Sequence, residues 1–344
     1  MRVPAPIADP AQELLEHAVD LRASDIHLDP APCGLGIRLR VDGRFVERGE
    51  LEAEEGRRLI GRLKVMAGLL VYRCDIPQEG RVELPGGREA RLAIIPTPHG
   101  EKATLRLFDP ERTLATLEDL AFDPHAMAWL QGKLALDHGL LLVVGPSGSG
   151  KTTTLYAALG EIVARRGEFC HVTTIEDPVE RHVEGCTQVQ VDPLRNLDFA
   201  AGLKFLLRQD PEVVMVGEVR DSETARIAVR AAMTGHLVLS TLHCGRATEA
   251  RPRLLEMGVE QYAVDLALSG VIAQRLLRRL CEACGGQGCG ECIESGYRGR
   301  AVIAEFLDGE RKKCPRALAE CAAELVEKRL TSRDEVARVL GGAS

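Results

Sequence analysis

The sequence Gly-Pro-Ser-Gly-Ser-Gly-Lys-Thr occupies residues 145–152, directly after the apolar run Leu-Leu-Leu-Val-Val at 140–144. A buried strand, a glycine-rich turn and a helix, in this order, are the context in which such a string forms a phosphate-binding loop. Glycine carries no Cβ, so backbone N–H groups can converge on phosphate oxygens. The following helix, Thr153 to about Arg166, directs its positive end at the same point. The stretch therefore predicts a nucleotide site; a plain glycine-rich turn would not explain the Lys-Thr pair at this offset.

Lysine and threonine at the end of the loop have separate predicted roles. Lys151 can reach the β- and γ-phosphates, and the Thr152 hydroxyl can ligate Mg²⁺. The predicted cofactors are therefore ATP and Mg²⁺. The residues predicted to bind the nucleotide are Gly145, Ser147, Gly148, Ser149, Gly150, Lys151, Thr152 and Thr153.

Length and charge limit the class of protein. A chain of 344 residues predicts two or three domains. A net charge of -7 argues against a dominant nucleic-acid-binding surface, so we expect no nucleic-acid partner and disfavour a nucleic-acid translocase. No apolar stretch approaches the ~20 residues that span a bilayer, and the N-terminus has no signal-peptide core. We expect a cytoplasmic chain whose membrane association is peripheral.

Two patterns of secondary structure divide the chain. Residues 1–110 mix strands and helices as a small α+β domain does. Residues 111–116 show no clear period and are predicted to be a linker. From residue 117, strands alternate with helices, which predicts an α/β fold with a parallel sheet covered on both faces. The strands expected in this second part are 140–144, 170–175, 213–217 and 237–241.

Two acidic segments are candidates for the chemistry. Thr-Thr-Ile-Glu-Asp-Pro-Val-Glu at 173–180 places Glu176 and Asp177 after a strand, where carboxylates can serve Mg²⁺ or water. Taken alone, an acidic loop is more often a solvated turn. Val-Val-Met-Val-Gly-Glu at 213–218 is a Walker-B-like strand that delivers Glu218 beside the phosphates. Glu218 is therefore the predicted residue that orients or deprotonates the attacking water.

Two histidines bracket a further apolar strand. The segment Thr-Gly-His-Leu-Val-Leu-Ser-Thr-Leu-His at 234–243 carries His236 before the strand and His243 after it. A lone histidine is usually structural. Two histidines on a core strand of such a sheet favour a role as γ-phosphate sensors, which we predict for both.

These segments, in this order, resemble the secretion ATPases of type II secretion systems and type IV pilus assembly. The resemblance extends from about Ala23 to Leu280 and rests on ASDIHLDP, RLRVDG, RLKVMAGLLVYRCDIPQEGR, GPSGSGKTTTLY, TTIEDPVE, LLRQDPEVVMVGEVRDSETA and AAMTGHLVLSTLH. It implies a PAS-like N-terminal domain over 1–110 and a RecA-like P-loop ATPase domain over 117–280. It also implies a ring-shaped homo-hexamer on the cytoplasmic face of the inner membrane, with inner-membrane platform proteins as partners.

The resemblance implies Mg²⁺-dependent ATP hydrolysis that powers pseudopilus assembly and protein export by a type II secretion system. A type IV pilus assembly ATPase is the alternative within the same class. An alternative from another class is a regulatory nucleotide-binding protein that does not hydrolyse ATP. Glu218 and the two histidines argue against that alternative.

The resemblance also assigns a role to arginines of the N-terminal domain. In the family, arginines on this domain close over the nucleotide phosphates, and Arg91 and Arg106 occupy those positions, with Arg81 upstream. Planar guanidinium groups can neutralise charge on a transferred phosphoryl group. Composition alone would favour solvated edge-strand residues instead.

Four of the 11 cysteines form two Cys-x-x-Cys pairs in one short stretch. Such pairs predict a tetrahedral zinc site in a small module over 281–300, followed by a helical tail over 301–344. The family places a much longer loop between the pairs than residues 285–288 here, so a degenerate remnant with free thiols is the alternative. The predicted zinc ligands are Cys281, Cys284, Cys289 and Cys292. The cysteines predicted to be buried small hydrophobic residues are Cys33, Cys74, Cys170, Cys186 and Cys244.

Overall fold

The computed structural model describes residues 9–84, 88–108, 116–167, 170–309 and 316–341. The chain divides into two compact units, Met1–Thr113 and Leu114–Ser344. Of the linker predicted over 111–116, residues 111–115 lie outside the described residues.

The first unit is built on a six-stranded antiparallel sheet with strand order β3-β2-β1-β6-β5-β4. Buried and exposed residues alternate along Arg88–Thr97, so one face of the sheet is buried there: Ala90, Leu92 and Ile94 are buried while their neighbours are not. Two helices contribute Leu15 and Leu63 to this core. The elements are α1 (Pro10–Asp20), β1 (Asp25–Ala31), β2 (Gly34–Val41), β3 (Arg44–Glu52), α2 (Ala53–Met66), β4 (Gln78–Leu84), β5 (Arg88–Thr97) and β6 (Gly100–Phe108).

The second unit is an α/β fold on a seven-stranded sheet with order β13-β12-β7-β11-β10-β8-β9. Every pairing in it is parallel except that of β12 with β13. Its strands are β7 (Gly139–Val144), β8 (Val172–Glu176), β9 (Cys186–Gln190), β10 (Val213–Val216), β11 (Leu237–Leu242), β12 (Leu268–Leu280) and β13 (Tyr297–Asp308). Its helices are α3 (Pro124–Leu134), α4 (Lys151–Arg166), α5 (Phe199–Leu206), α6 (Ser222–Met233), α7 (Ala250–Glu256), α8 (Gln261–Ala267), α9 (Leu318–Glu327) and α10 (Arg333–Leu340).

The inner strand β7 is buried along its whole length because both faces of the sheet are covered. Leu140 and Leu142 pack into one apolar layer, and Leu141 and Val143 pack into the other. This confirms the parallel sheet covered on both faces that the sequence predicted.

The helical tail predicted over 301–344 is wrong for its first residues. Tyr297–Asp308 forms β13, which pairs with β12 and completes the main sheet. Ile303, Ala304, Phe306 and Leu307 are buried there, so this apolar run has a partner strand that makes it extended. The cysteine-rich segment is therefore the tip of a hairpin that begins and ends in the main sheet. Helices α9 and α10 follow only after it.

No helix among the described residues is both long enough and apolar enough to cross a membrane.

Candidate functional site

The glycine-rich loop connects the end of β7 to the start of α4. Gly145, Gly148 and Gly150 have φ angles of 152°, 74° and 88°, a region that L-residues with a Cβ rarely adopt. A Cβ on Gly145 would also lie 2.5 Å from Ser149 Oγ and 2.7 Å from the Gln274 carbonyl oxygen. Glycine is thus required by backbone conformation and by close approach.

Lys151, at the first position of α4, holds its ammonium group over this loop. Its Nζ donates hydrogen bonds to the carbonyl oxygens of Gly145, at 2.9 Å, and Pro146, at 3.0 Å. Burial lowers the pKa of Lys151, and the nearby Glu218 carboxylate opposes that shift. Among the other predicted nucleotide-binding residues, Ser149 is buried, Thr152 is half-buried, and Ser147, Gly148 and Thr153 are exposed.

Carboxylates and a histidine meet at the carboxyl edge of the same sheet. Glu218 follows β10, and its Oε1 lies 2.5 Å from Arg220 Nη2 while its Oε2 lies 3.5 Å from His243 Nε2. Arg220 Nη1 also lies 3.9 Å from Asp177 Oδ2. Three segments that are remote in sequence thus converge, and Glu218 lies close enough to Lys151 to act on its charge.

Backbone contacts hold Glu218 in place. The N–H of Gly217 donates to the Ile175 carbonyl oxygen at 2.8 Å, and the N–H of Val219 donates to the Thr241 carbonyl oxygen at 3.0 Å. Thr241 Oγ1 donates to the Gly217 carbonyl oxygen at 2.8 Å. The turn that carries Glu218 is therefore fixed to both neighbouring strands.

Glu176, predicted to serve Mg²⁺ and the γ-phosphate, lies in a different environment from Asp177. It is buried, and its carboxylate accepts hydrogen bonds from the Tyr156 hydroxyl, from Thr174 Oγ1 at 2.6 Å and from Gln188 Nε2 at 3.0 Å. Both oxygens already have protein donors, so this geometry supports a structural role for Glu176. The Tyr156 hydroxyl also accepts from the N–H of Glu180 at 3.1 Å, which ties the loop after β8 to α4.

The prediction that His236 senses the γ-phosphate is corrected by its position. His236 precedes β11, and its Nδ1 lies 3.0 Å from the Ala231 carbonyl oxygen. The loop at 145–152 follows the other end of the parallel strand β7, because Leu237 pairs with Gly139 and Leu242 with Val144. Six residues of strand, roughly 20 Å, separate His236 from that edge. The His236 side chain instead bonds the carboxyl-terminal part of α6, where the Ala231 carbonyl oxygen is its partner.

Two residues of β12 that sequence reasoning did not select lie beside the phosphate loop. Ala273 pairs with Val144, so β12 continues past the end of β7 and places Gln274 and Arg275 next to the loop. Arg275 Nη2 donates to the Gly245 carbonyl oxygen at 2.7 Å, two residues after His243. Burial lowers the pKa of Arg275. The signal that could have found them is a Gln-Arg pair between the apolar residues at 271–273 and those at 276–277.

The three arginines of the first unit form one row across its sheet. Arg91 on β5 is paired directly with Arg81 on β4 and with Arg106 on β6. Arg91 forms an ion pair with Glu79, and Arg106 Nε lies 3.0 Å from Asp25 Oδ1. Directly opposed residues share a face of the sheet, so the row presents three guanidinium groups together.

The four predicted zinc ligands converge at the tip of the β12–β13 hairpin. Their sulfur atoms all lie within 4.8 Å of one another. The Sγ–Sγ distances are 3.9 Å for Cys281 and Cys289, 3.8 Å for Cys284 and Cys292, and 3.7 Å for Cys289 and Cys292. A tetrahedron with Zn–S bonds of about 2.3 Å has edges of about 3.8 Å. The donor set and its geometry therefore fit a tetrahedral metal ion.

Backbone N–H groups point at these sulfurs. Cys292 Sγ accepts from the N–H of Cys289 at 3.2 Å and from that of Gly296 at 3.3 Å. Burial alone would raise the pKa of Cys292, but these hydrogen bonds outweigh it and lower that pKa to about 7. The short connection is possible because Gly285, Gly286 and Gly288 all have positive φ.

The scattered cysteines do not all behave as predicted. Cys170, Cys186 and Cys244 are half-buried, whereas Cys33 and Cys74 are exposed. Cys33 lies in the turn between β1 and β2, and Cys74 lies in the loop before β4.

Comparison with known proteins decides the family. A family model described as Type II/IV secretion system protein matches residues 3–339. The chain belongs to this family. Among its relatives are the "Type II secretion system protein E" of Pseudomonas aeruginosa, 43% identical over 88% of this chain, and that of Dickeya dadantii, 40% identical over 99%. The "Type IV pilus assembly ATPase PilB" of Myxococcus xanthus is 39% identical over 89% of this chain.

The chain is shorter than these secretion and pilus proteins. It spans 65% of the Pseudomonas protein, 74% of the Dickeya protein and 60% of the Myxococcus protein.

Solved structures agree with the fold of this Type II/IV secretion system protein. The pilus retraction motor PilT with bound ADP has a TM-score of 0.68 at 24% identity, covering 96% of this chain and 97% of its own. The Legionella pneumophila ATPase DotB has a TM-score of 0.71 at 22% identity, covering 97% and 96%. This chain therefore shares the fold of PilT and DotB.

Proposed function

We propose that this chain is the ATP-hydrolysing motor of a type II secretion system, powering pseudopilus assembly and protein export. The observation that carries the proposal is the convergence of Glu218 and His243 on the sheet edge that bears Lys151 and the phosphate loop. Relatives named for type II secretion support the choice of system.

The roles of the residues follow from their positions. Lys151 and the loop N–H groups bind the phosphates, and Thr152 would hold Mg²⁺, which supplies charge neutralisation of the phosphates when bound. The Glu218 carboxylate accepts a proton from the attacking water. It is itself oriented by Arg220 and His243. Asp177 shares Arg220 with Glu218 and completes the acidic edge.

The test of hydrolysis is phosphate release with and without Mg²⁺. The wild-type chain should release phosphate only with Mg²⁺, and Lys151→Ala should lose both nucleotide binding and turnover, since it removes the cation of the loop. A wild-type chain that binds ATP but releases no phosphate, including at high protein concentration, would favour the regulatory nucleotide-binding alternative and overturn the proposal.

A type IV pilus assembly ATPase is the second candidate, because the Myxococcus xanthus pilus protein is nearly as similar. Neighbouring genes for pseudopilins and an outer-membrane secretin would support the secretion motor. Neighbouring genes for pilins and a retraction ATPase would support the pilus motor instead.

Assembly and location belong to the same proposal. We infer a homo-hexameric ring at the cytoplasmic face of the inner membrane, held there by platform proteins of the secretion system. In such a ring Arg91 and Arg106 of the first unit, proposed to be PAS-like, would close on the nucleotide phosphates. Their shared row on one sheet face supports a joint role.

We also propose that the four cysteines at the hairpin tip bind one Zn²⁺ as a structural site. The tetrahedral sulfur spacing supports zinc over free thiols. Metal analysis of protein purified without chelator should give about one Zn²⁺ per chain. Cys281→Ser and Cys292→Ser should lose it, whereas Cys33→Ser, which changes an exposed cysteine outside the cluster, should keep it. Wild-type protein without metal would support the degenerate remnant.

A further inference from the structure

Gln274 lies in the middle of strand β12, and its side chain is fully buried. Both ends of its amide are used. Nε2 donates to the Ser149 carbonyl oxygen at 2.7 Å, and Oε1 accepts from Thr154 Oγ1 at 2.9 Å. The first bond reaches the phosphate loop across 125 residues of sequence, and the second reaches α4.

The main chain of Gln274 also meets the loop. A Cβ on Gly145 would lie 2.7 Å from the Gln274 carbonyl oxygen, and a Cβ on Gly150 would lie 3.0 Å from Gln274 Nε2. The residue therefore touches both ends of the glycine-rich turn. Arg275 and Leu276, the next residues of β12, lie farther from these two positions, at 3.3 Å from a Cβ on Gly145 and 3.7 Å from a Cβ on Gly150 respectively.

The bond to Ser149 has a consequence for phosphate binding. The peptide between Ser149 and Gly150 is trans, so its C=O and N–H point in opposite directions. Because the C=O is fixed toward Gln274, the Gly150 N–H is directed to the opposite side of the peptide. Loop N–H groups of this kind are what bind phosphate oxygens.

We propose that Gln274 is a positioning residue of the nucleotide site, which fixes the Ser149–Gly150 peptide so that the Gly150 N–H faces the phosphates. The inference rests on the proposed ATP-binding function and adds a residue to that site. A hydrogen bond from the Gly150 N–H to a phosphate oxygen stabilises the bound substrate and the transition state alike. Its loss should raise KM and leave kcat nearly unchanged.

The test compares three variants of the full chain. Gln274→Met keeps the length of the side chain but removes both amide groups, and Gln274→Glu keeps its shape but turns an acceptor oxygen toward the Ser149 carbonyl. Thr154→Val is the matched control, because it removes the bond to Oε1 and leaves the bond to Ser149 intact. Affinity for ATP and for ADP is measured by calorimetry, with kcat and KM from phosphate release and the melting temperature as a check of folding.

We expect Gln274→Met and Gln274→Glu each to weaken ATP and ADP binding by about tenfold or more, as the loss of one orienting hydrogen bond predicts. Their kcat at saturating ATP should stay within about threefold of wild type, and so should the ATP affinity of Thr154→Val. If Gln274→Met does not fold, Gln274→Glu decides alone. Wild-type affinity in the folded Gln274 variants, or an equal loss in Thr154→Val, would overturn the inference. A wild-type chain that binds no nucleotide would overturn the proposed function and this inference with it.

Discussion

His236 and His243 have the same side chain and bracket the same strand, yet they lie at opposite ends of it. His243 approaches Glu218 at 3.5 Å, whereas His236 contacts the turn after α6. We expect His243→Ala to lower turnover by roughly tenfold to a hundredfold, because it removes a group that orients Glu218. His236→Ala is the matched control and should stay within about twofold. Phosphate release under saturating ATP measures both, and equal losses would reject this division of roles.

Some residues of the site could be predicted from the sequence alone. The environment of others depends on where the fold places them. The loop at 145–152 could be recognised because its glycines allow the backbone to approach phosphates and its lysine, at a fixed offset, supplies the cation that binds them. Glu218 could be recognised because a carboxylate follows an apolar strand. The environment of Glu176 could not be predicted from the sequence, since only the fold brings Tyr156 and Gln188 to its oxygens. Adjacent carboxylates at the end of one strand thus have different environments.

At the scale of elements, α10 is fastened to β12 by a buried ion pair. Glu335, at 1% exposure, accepts from Arg278 Nη2 at 2.7 Å and from Arg338 Nε at 2.7 Å. Burial alone would raise the pKa of Glu335, but hydrogen bonds from Arg338 and Arg278 outweigh it and lower the pKa to about 2. The stabilising contribution is therefore complete above the unfolded-state pKa of about 4.5 and is lost as the pH falls toward 2.

Glu335→Gln should destabilise the second unit at neutral pH by about 3 kcal/mol, because it leaves the buried Arg278 without its carboxylate. It should also flatten the acid dependence of stability between pH 4.5 and about 2. Urea unfolding at several pH values measures both effects. Glu282→Gln, which breaks the exposed pair with Arg279, should cost less than about 1 kcal/mol. Equal losses in the two variants would contradict a role for burial.

Strands with a clear pattern could be predicted, and strands without one could not. β7 is a nearly continuous apolar run and β11 begins with one, and the structure has both strands close to the predicted bounds. β3 carries no such pattern, because Arg44–Glu52 is mostly exposed and charged. β13 was missed because its pairing with β12 spans the cysteine-rich tip, a contact that no local period reports.

In the proposed ring, ATP hydrolysis by one subunit depends on contacts with the neighbouring subunits. Arg91→Ala and Arg106→Ala should lower turnover by roughly tenfold or more and change nucleotide affinity much less, as expected for groups that act on the developing charge. Arg48→Ala is the control, because it changes an exposed arginine of the same sheet outside the row. Phosphate release and nucleotide titration give the two quantities.

Specific activity should rise with protein concentration, since an isolated chain would lack the contacts of its neighbours. The measurement is phosphate release across a dilution series, with mass followed by light scattering. A strict monomer of constant specific activity, with both arginine variants fully active, would show that the site is complete within one chain.

Glu218 is proposed to activate the attacking water at the phosphate loop, and Glu218→Gln tests this role. Glu218→Gln keeps the size of the side chain and its hydrogen bonds to Arg220 in part, but it cannot accept a proton from water. The measurement is ATP affinity by calorimetry together with the rate of phosphate release. We predict an affinity within about threefold of wild type and a turnover at least about a hundredfold lower. Hydrolysis at a near wild-type rate in Glu218→Gln would contradict this role of Glu218.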